Sequence, residues 1–325
     1  LSRAQVMAAF RPADAATVVA QAAADAAGAS VRKACATPGT LLDPIQDVFL
    51  PAGLAIIERY LGVAVPGSVA PFDFLCWTIA TSAFLFGPPF EASRMFAIAS
   101  AGTDRLALLV DESIAAAVKA DRDGRPAVTA VDELVRPAAD LRRCEVIRAI
   151  LLGMIVGSLP TVLLTAGHLL QVLLDRPEVQ DAARRAALAD DDVGLARCLW
   201  EAMRFHPLNP GPWRECAREV VIARGTARER VLRRGTHVLA STLAAMWDPQ
   251  RVARAATFDP GRDPAQWLHL GHGLHHCVGR YIAEAQLVQS FKPLLRTPRL
   301  VRAPGRSGKP TFIGLFPRRQ FVLLG

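Results

Sequence analysis

The sequence predicts a mainly helical domain with a few short β-strands gathered in its C-terminal half. Three observations predict it. Ala- and Leu-rich stretches of helical character follow one another over 13–35, 45–61, 70–86 and 91–120. A run of 26 residues without Asp, Glu, Lys or Arg, Ala149–Leu174, comes after them. Short apolar segments between Arg- and Gly-rich turns appear only after Pro207.

The breaks between the first helices fall at Pro38-Gly39, Pro66-Gly67 and Gly87-Pro88-Pro89, where proline and glycine interrupt the helical pattern. They are short connections, not domain linkers, and residues 121–126 read as an exposed loop. The uncharged run passes a hydropathy test for a membrane span, which needs roughly 20 apolar residues. It also carries Gly153, Gly157, Ser158, Pro160, Thr161, Thr165, His168 and Gln171, and no second span accompanies it. A buried central helix is therefore expected, with no membrane span. Another helix is expected over 178–206. Strands are expected at Val220–Ala223 and His237–Ala240, a final helix over 279–296, and a small terminal sheet within 299–324.

Composition narrows the function classes. The 325 residues are 51% hydrophobic and 21% charged, with a mean hydropathy of +0.24, enough to build a large core and to exclude global disorder. No repeat period supports a solenoid or collagen-like chain. The formal charge is +8, from 38 Lys and Arg of which only four are Lys. These residues read as scattered along amphipathic helices, with few aromatics among them, so nucleic acid is not an expected partner. A basic face for an acidic partner stays open. Six Cys occur without a CxxC pair, and LSRAQVMAAF lacks the regions of a signal peptide. A cytoplasmic chain with reduced thiols is expected.

The chemistry concentrates in residues 269–279, His-Leu-Gly-His-Gly-Leu-His-His-Cys-Val-Gly. Four of the seven His fall within eight residues, and Cys277 follows at once. A zinc site would need further ligands from a second cluster, and the chain has none. A solvated His-rich loop is the plain alternative. A third reading is a loop presenting one thiolate to a heme iron, with glycines letting the backbone pass close to the macrocycle.

Leu270-Gly271-x-Gly273-x-His275-x-Cys277-x-Gly279, with Ala283 following on a helix, resembles the heme-binding signature of the cytochrome P450 family. Leu270 stands where that family usually has Phe. Glu201-x-x-Arg204 resembles the family's ExxR pair, whose i, i+3 spacing puts both side chains on one helix face. Phe258-Asp259-Pro260-Gly261-Arg262 resembles the segment whose arginine joins that pair. The resemblance implies a single heme-thiolate domain over 1–325 with the P450 fold, holding heme b through Cys277. It implies a buried Glu201–Arg204–Arg262 network and His275 as partner of a heme propionate. Arg3 sits in a segment similar to the family's early propionate-binding helix.

The long apolar helix is then expected to cross the distal face of the heme. Counting back from Leu173–Glu178 places Gly157-Ser158-Leu159-Pro160-Thr161 where the family has its glycine, acid and threonine. Thr161 supplies the alcohol, and Pro160 replaces the acid. Pro160 is expected to open the helix without supplying a proton donor. Gly153, Val156, Gly157, Pro160 and Thr161 are expected to line an apolar pocket for a small lipophilic substrate. The resemblance implies a monooxygenase served by a ferredoxin-type electron donor. A peroxygenase or hydroperoxide-rearranging enzyme needing no reductase is the alternative, and a non-catalytic heme protein a second. The chain is short for that family: the N-terminal sheet, first helices and access loop have no counterpart. It corresponds to about the C-terminal four-fifths of a full-length member, or to a shortened one with an open distal pocket.

Overall fold

The computed structural model describes residues 6–7, 10–37, 39–88, 91–136, 141–314 and 316–324. Helical turns over 12–19 lead into α1 (Ala20–Cys35), and a two-residue strand β1 (Leu41–Leu42) follows. A helical run over 44–61 contains α2 (Leu50–Ile56). Asp43 caps that run by accepting from the N–H groups of Ile45 and Gln46. Then come α3 (Pro71–Phe86), α4 (Ala92–Arg122), α5 (Ala130–Val135), α6 (Leu141–Asp175), α7 (Pro177–Leu188) and α8 (Asp192–Phe205). Starts and stops follow local chemistry: α3 and α7 begin on Pro, and Thr129 with Asp132 forms a capping box on α5.

The strands gather after α8. β2 (Trp213–Glu215) pairs antiparallel with β5 (His237–Leu239), and β3 (Val220–Ile222) pairs with β4 (Arg230–Leu232). A short helix α9 (Thr242–Met246) and a long irregular segment lead to α10 (Arg280–Arg296). The tail supplies β6 (Leu300–Arg302), β7 (Thr311–Ile313), β8 (Phe316–Arg319) and β9 (Val322–Leu324). β9 sits between β1 and β6, with Leu323 opposite both Leu41 and Val301, so the tail is pinned to the chain's first strand.

α6 is the axis of the core. Its segment Cys144–Asp175 is long and apolar enough to cross a membrane, yet it packs inside the protein against α2, α3, α4 and α8. Ile147, Leu151, Ile155, Leu159, Leu169 and Leu170 are almost fully buried. Side chains in that position gain their stabilisation from protein contacts, as a central globular helix does. Pro160 does not open it: the helix runs unbroken from Leu141 to Asp175. A proline removes one N–H from a ladder of some thirty bonds, and packing of the buried face of α6, on which Pro160 lies, holds the rest. Pro293 sits inside α10 in the same way.

α3 and α4 form an antiparallel hairpin locked along its length. At Gly102 a methyl group would stand 2.8 Å from the Trp77 carbonyl oxygen, so glycine lets the two backbones touch. The Thr81 and Thr103 hydroxyls meet at 3.0 Å, Phe84 meets Phe96 edge to face, and the Arg105 guanidinium lies over Trp77.

The expected scatter of arginines holds on the helices but not in the β region. Arg214, Arg218, Arg224, Arg228, Arg230, Arg233 and Arg234 crowd one stretch around β3 and β4, most of it exposed.

Candidate active site

Cys277 lies in the loop just before α10, half-buried and in no disulfide. Its backbone N–H donates to the Leu270 carbonyl at 2.8 Å, which closes the loop into a compact hook. Gly271 makes the hook possible: its φ is +77°, and a Cβ there would stand 2.5 Å from the His275 carbonyl oxygen. Gly273 has φ +58°. A Cβ on Gly279 would sit 3.9 Å from the Cys277 sulfur, in ordinary van der Waals contact. The Ala283 N–H donates to the Gly279 carbonyl at 2.9 Å, beginning α10 directly after the hook. His275 is exposed beside it. Arg3 lies outside the described residues.

Behind the hook, Glu201 and Arg204 are completely buried on α8 and Arg262 is 6% exposed. The Glu201 carboxylate accepts from Arg204 Nη2 at 2.7 Å and from Arg262 Nε at 3.2 Å. Sequence reading missed two further donors to it. Trp267 Nε1 donates at 2.8 Å and the Asp259 backbone N–H at 3.2 Å. Two buried cations against one buried anion leave an excess positive charge, and carbonyl dipoles answer it. Arg204 reaches the carbonyls of Met246 and Thr257, and Arg262 those of Ala253, Arg254 and Thr257. Every arm is satisfied, the condition under which buried ions persist. Arg197, one turn before Glu201, binds the carbonyls of Pro260 and Arg262 and holds that segment against α8. Trp267 lies ten residues before Cys277, so the network fixes the base of the hook.

His269, next along, stacks on Trp200 at 5.5 Å, and its Nδ1 is buried with no hydrogen-bond partner. Burial pushes its pKa down to about 4, against the pull of the Glu201 charge.

Across the core, α6 carries a bare stripe. Gly153, Gly157 and Thr161 recur at i, i+4 and i+8; both glycines are exposed and Thr161 is half-buried. A Cβ on either glycine would meet no atom within 4 Å. The Thr161 hydroxyl donates to the Gly157 carbonyl, with the Ser158 carbonyl 3.1 Å away. Pro160 is buried and does not share the stripe. N-terminal to the stripe, a cavity of about 410 Å³ opens between α3, α4 and α6, with Phe84, Leu85, Phe96, Leu152, Gly153 and Val156 on its walls. The structure thus brings Gly153 and Val156 to a cavity, while Gly157, Pro160 and Thr161 are not among its lining residues.

Farther along α6, His168 packs on His206 with ring centroids 4.0 Å apart, and its Nδ1 is buried without a partner. Burial first, and the His206 charge second, push its pKa down to about 4. A histidine near 6.5 in the unfolded chain but held neutral when folded supports the fold above pH 6.5. That support is lost as pH falls towards 4, by about 2 kcal/mol at pH 5. Asp43 acts in the opposite sense, because burial pushes its carboxyl up to about 6 and its cost is relieved below that pH. The readout is therefore a difference: urea unfolding of the native protein and of His168→Gln at pH 7 and pH 5. The variant is expected to lose less stability between the two pH values, and equal losses would refute the assignment.

Among the described residues, no three His, Cys, Asp or Glu side chains converge as a metal-holding set. A single cysteine on a glycine-relaxed hook, and a glycine stripe with nothing filling the space before it, suit a flat macrocycle carrying its own metal ligands.

A family model described as Cytochrome P450 matches residues 142–323. The chain is 32% identical over 161 residues to a mycinamicin IV hydroxylase/epoxidase of Micromonospora griseorubida, covering 49% of this chain and 37% of that protein. It is 30% identical over 270 residues to the cytochrome P450 monooxygenase PikC of Streptomyces venezuelae, covering 80% of this chain and 57% of that protein. The chain therefore spans less than two thirds of either relative's length. Among solved structures, CalO2 superposes with a TM-score of 0.75 at 23% identity, covering 99% of this chain and 77% of that one.

Proposed function

The chain belongs to the cytochrome P450 family, and from that premise we propose that it is a heme-thiolate monooxygenase acting on a small, largely lipophilic substrate. The observation that carries this reading is the Cys277 hook, closed by its N–H bond to Leu270 and braced at its base by the Glu201 network. Heme b, when bound, would supply the activation of dioxygen, with Cys277 as the thiolate that holds it.

The chain's own residues do the rest. Cys277 would hold the iron through its sulfur, and the N-terminus of α10, which begins directly after the hook, would temper the sulfur's charge. His275, exposed beside the hook, and Arg3 bind propionates. Gly153 and Gly157 let the substrate and the macrocycle approach α6 without a side chain between them. Thr161 has one proton to give, and it is committed to a helix carbonyl. Its oxygen therefore presents lone pairs to the open face and orders water there. With Pro160 in place of an acid, this stretch of α6 offers no carboxyl proton donor, and water held at Thr161 would take that role. The apolar walls of α3, α4 and α6 orient the substrate. Electrons come from a ferredoxin-type donor.

The test is a reduced, carbon monoxide-treated sample of the heme-loaded protein, followed by turnover under ¹⁸O₂ with a ferredoxin and its reductase. A thiolate-type Soret band and one ¹⁸O atom per product molecule are expected. A Soret band without the thiolate shift would overturn the ligand assignment. Label arriving only from H₂¹⁸O₂ would replace the monooxygenase by the peroxide-driven reading.

A further inference from the structure

The cavity between α3, α4 and α6 is apolar on most of its surface, but one charged side chain stands on its wall. Asp104 of α4 is the ionisable residue among those that line it. Among the described lining residues the charge is thus a single carboxylate set against mostly apolar side chains. We propose that Asp104 determines specificity, selecting substrates that carry a cationic nitrogen at one end of a lipophilic frame. This rests on reading the cavity as the substrate site of the proposed monooxygenase.

The neighbours of Asp104 leave it available. Arg105 is held over the Trp77 ring, and Arg148, across on α6, is paired with Asp111. One helical turn from Asp104 in either direction stand Ser100 and Leu108, neither of them a cation. No described cation forms an ion pair with Asp104. The two threonines on the wall are spent: Thr103 donates to the Ala99 carbonyl at 2.8 Å, and Thr81 is bonded to the Trp77 carbonyl and to Thr103. A ligand that fills the apolar space thus meets one carboxylate, with the Ser100 hydroxyl beside it on the same wall.

Asp104 itself is exposed, so water competes for it and salt screens it. The expected discrimination is about fivefold, within the range of a partly solvated ion pair.

The experiment uses the heme-loaded protein and its Asp104→Asn variant. Each is titrated with dodecyltrimethylammonium, dodecanol and dodecanoate below their micellar concentrations. Binding is read by Soret shift and independently by calorimetry; the quaternary nitrogen cannot ligate iron, so the two readouts report the same event. The native protein is expected to bind the ammonium about fivefold more tightly than the alcohol, and dodecanoate more weakly than either. Asp104→Asn is expected to erase the ammonium preference and improve dodecanoate binding, and the native preference is expected to shrink between 50 and 500 mM NaCl. An unchanged ammonium affinity in the variant would overturn the assignment. If no Soret band forms at all, the heme reading fails, and the calorimetric comparison still decides the role of Asp104.

Discussion

Glu201→Ala is expected to destabilise the folded chain by about 3–5 kcal/mol, because it strands two buried guanidinium groups. Arg204 is fully enclosed, and Arg262 nearly so. Both would keep their carbonyl partners but lose the single anion that balances them. Trp267 Nε1 and the Asp259 N–H would also lose their acceptor. Removing one partner of a buried ion set costs more than the set contributes in net stability, since the remaining charge cannot reach water. Glu201→Gln keeps the volume and one acceptor oxygen, and it is expected to fall between the native protein and Glu201→Ala. Urea unfolding at pH 7 measures all three. A loss below about 1 kcal/mol in Glu201→Ala would mean that solvent reaches the arginines. Heme retention is expected to fall with stability, because Trp267 anchors the chain that leads to Cys277.

Cys277→Ser is expected to remove the thiolate band and to lower turnover by at least about 100-fold, a barrier change near 2.7 kcal/mol. Serine is nearly the same size, so the hook is expected to fold. Its Cys277 N–H bond to Leu270 and the positive φ of Gly271 depend on backbone, not on sulfur. The hydroxyl is a harder and far less acidic ligand, and it does not donate electron density as a thiolate does. Cys35→Ser, at an exposed position on α1, is the matching control and is expected to leave both readouts unchanged. Retention of the thiolate band in Cys277→Ser would transfer the ligand role to another of the six cysteines.

Much of the fold and of the hook is legible in the sequence because the signals are local. An i, i+3 pair lies on one helix face whatever the helix packs against, so spacing sets Glu201 beside Arg204, while the burial of the pair is legible only through the resemblance. Gly271, Gly273 and Cys277 carry their geometry within a few residues. The missing parts depend on contacts across the fold. Trp267 reaches Glu201 over 66 positions, and nothing at Trp267 itself announces an indole N–H aimed at a carboxylate. His168 and His206 meet because α6 and α8 cross, which neither helix encodes alone. Asp104 reads as an ordinary solvent-facing acid until α3 and α6 close a cavity beside it. Pro160 misleads in the other direction. Proline chemistry is local and destabilising, but a core packed against the buried face of α6 decides whether the helix breaks.

The seam between α3 and α4 has a mechanical consequence. Backbone contact at Gly102, the Thr81–Thr103 hydroxyl pair, the Phe84–Phe96 edge and the Arg105–Trp77 stack act as four rivets along two levers. Sliding one helix past the other would break all four together, whereas tilting the pair as one plate breaks none. The two helices that roof the cavity therefore share a single coordinate of motion, and whatever lifts Phe84 lifts Asp104 with it.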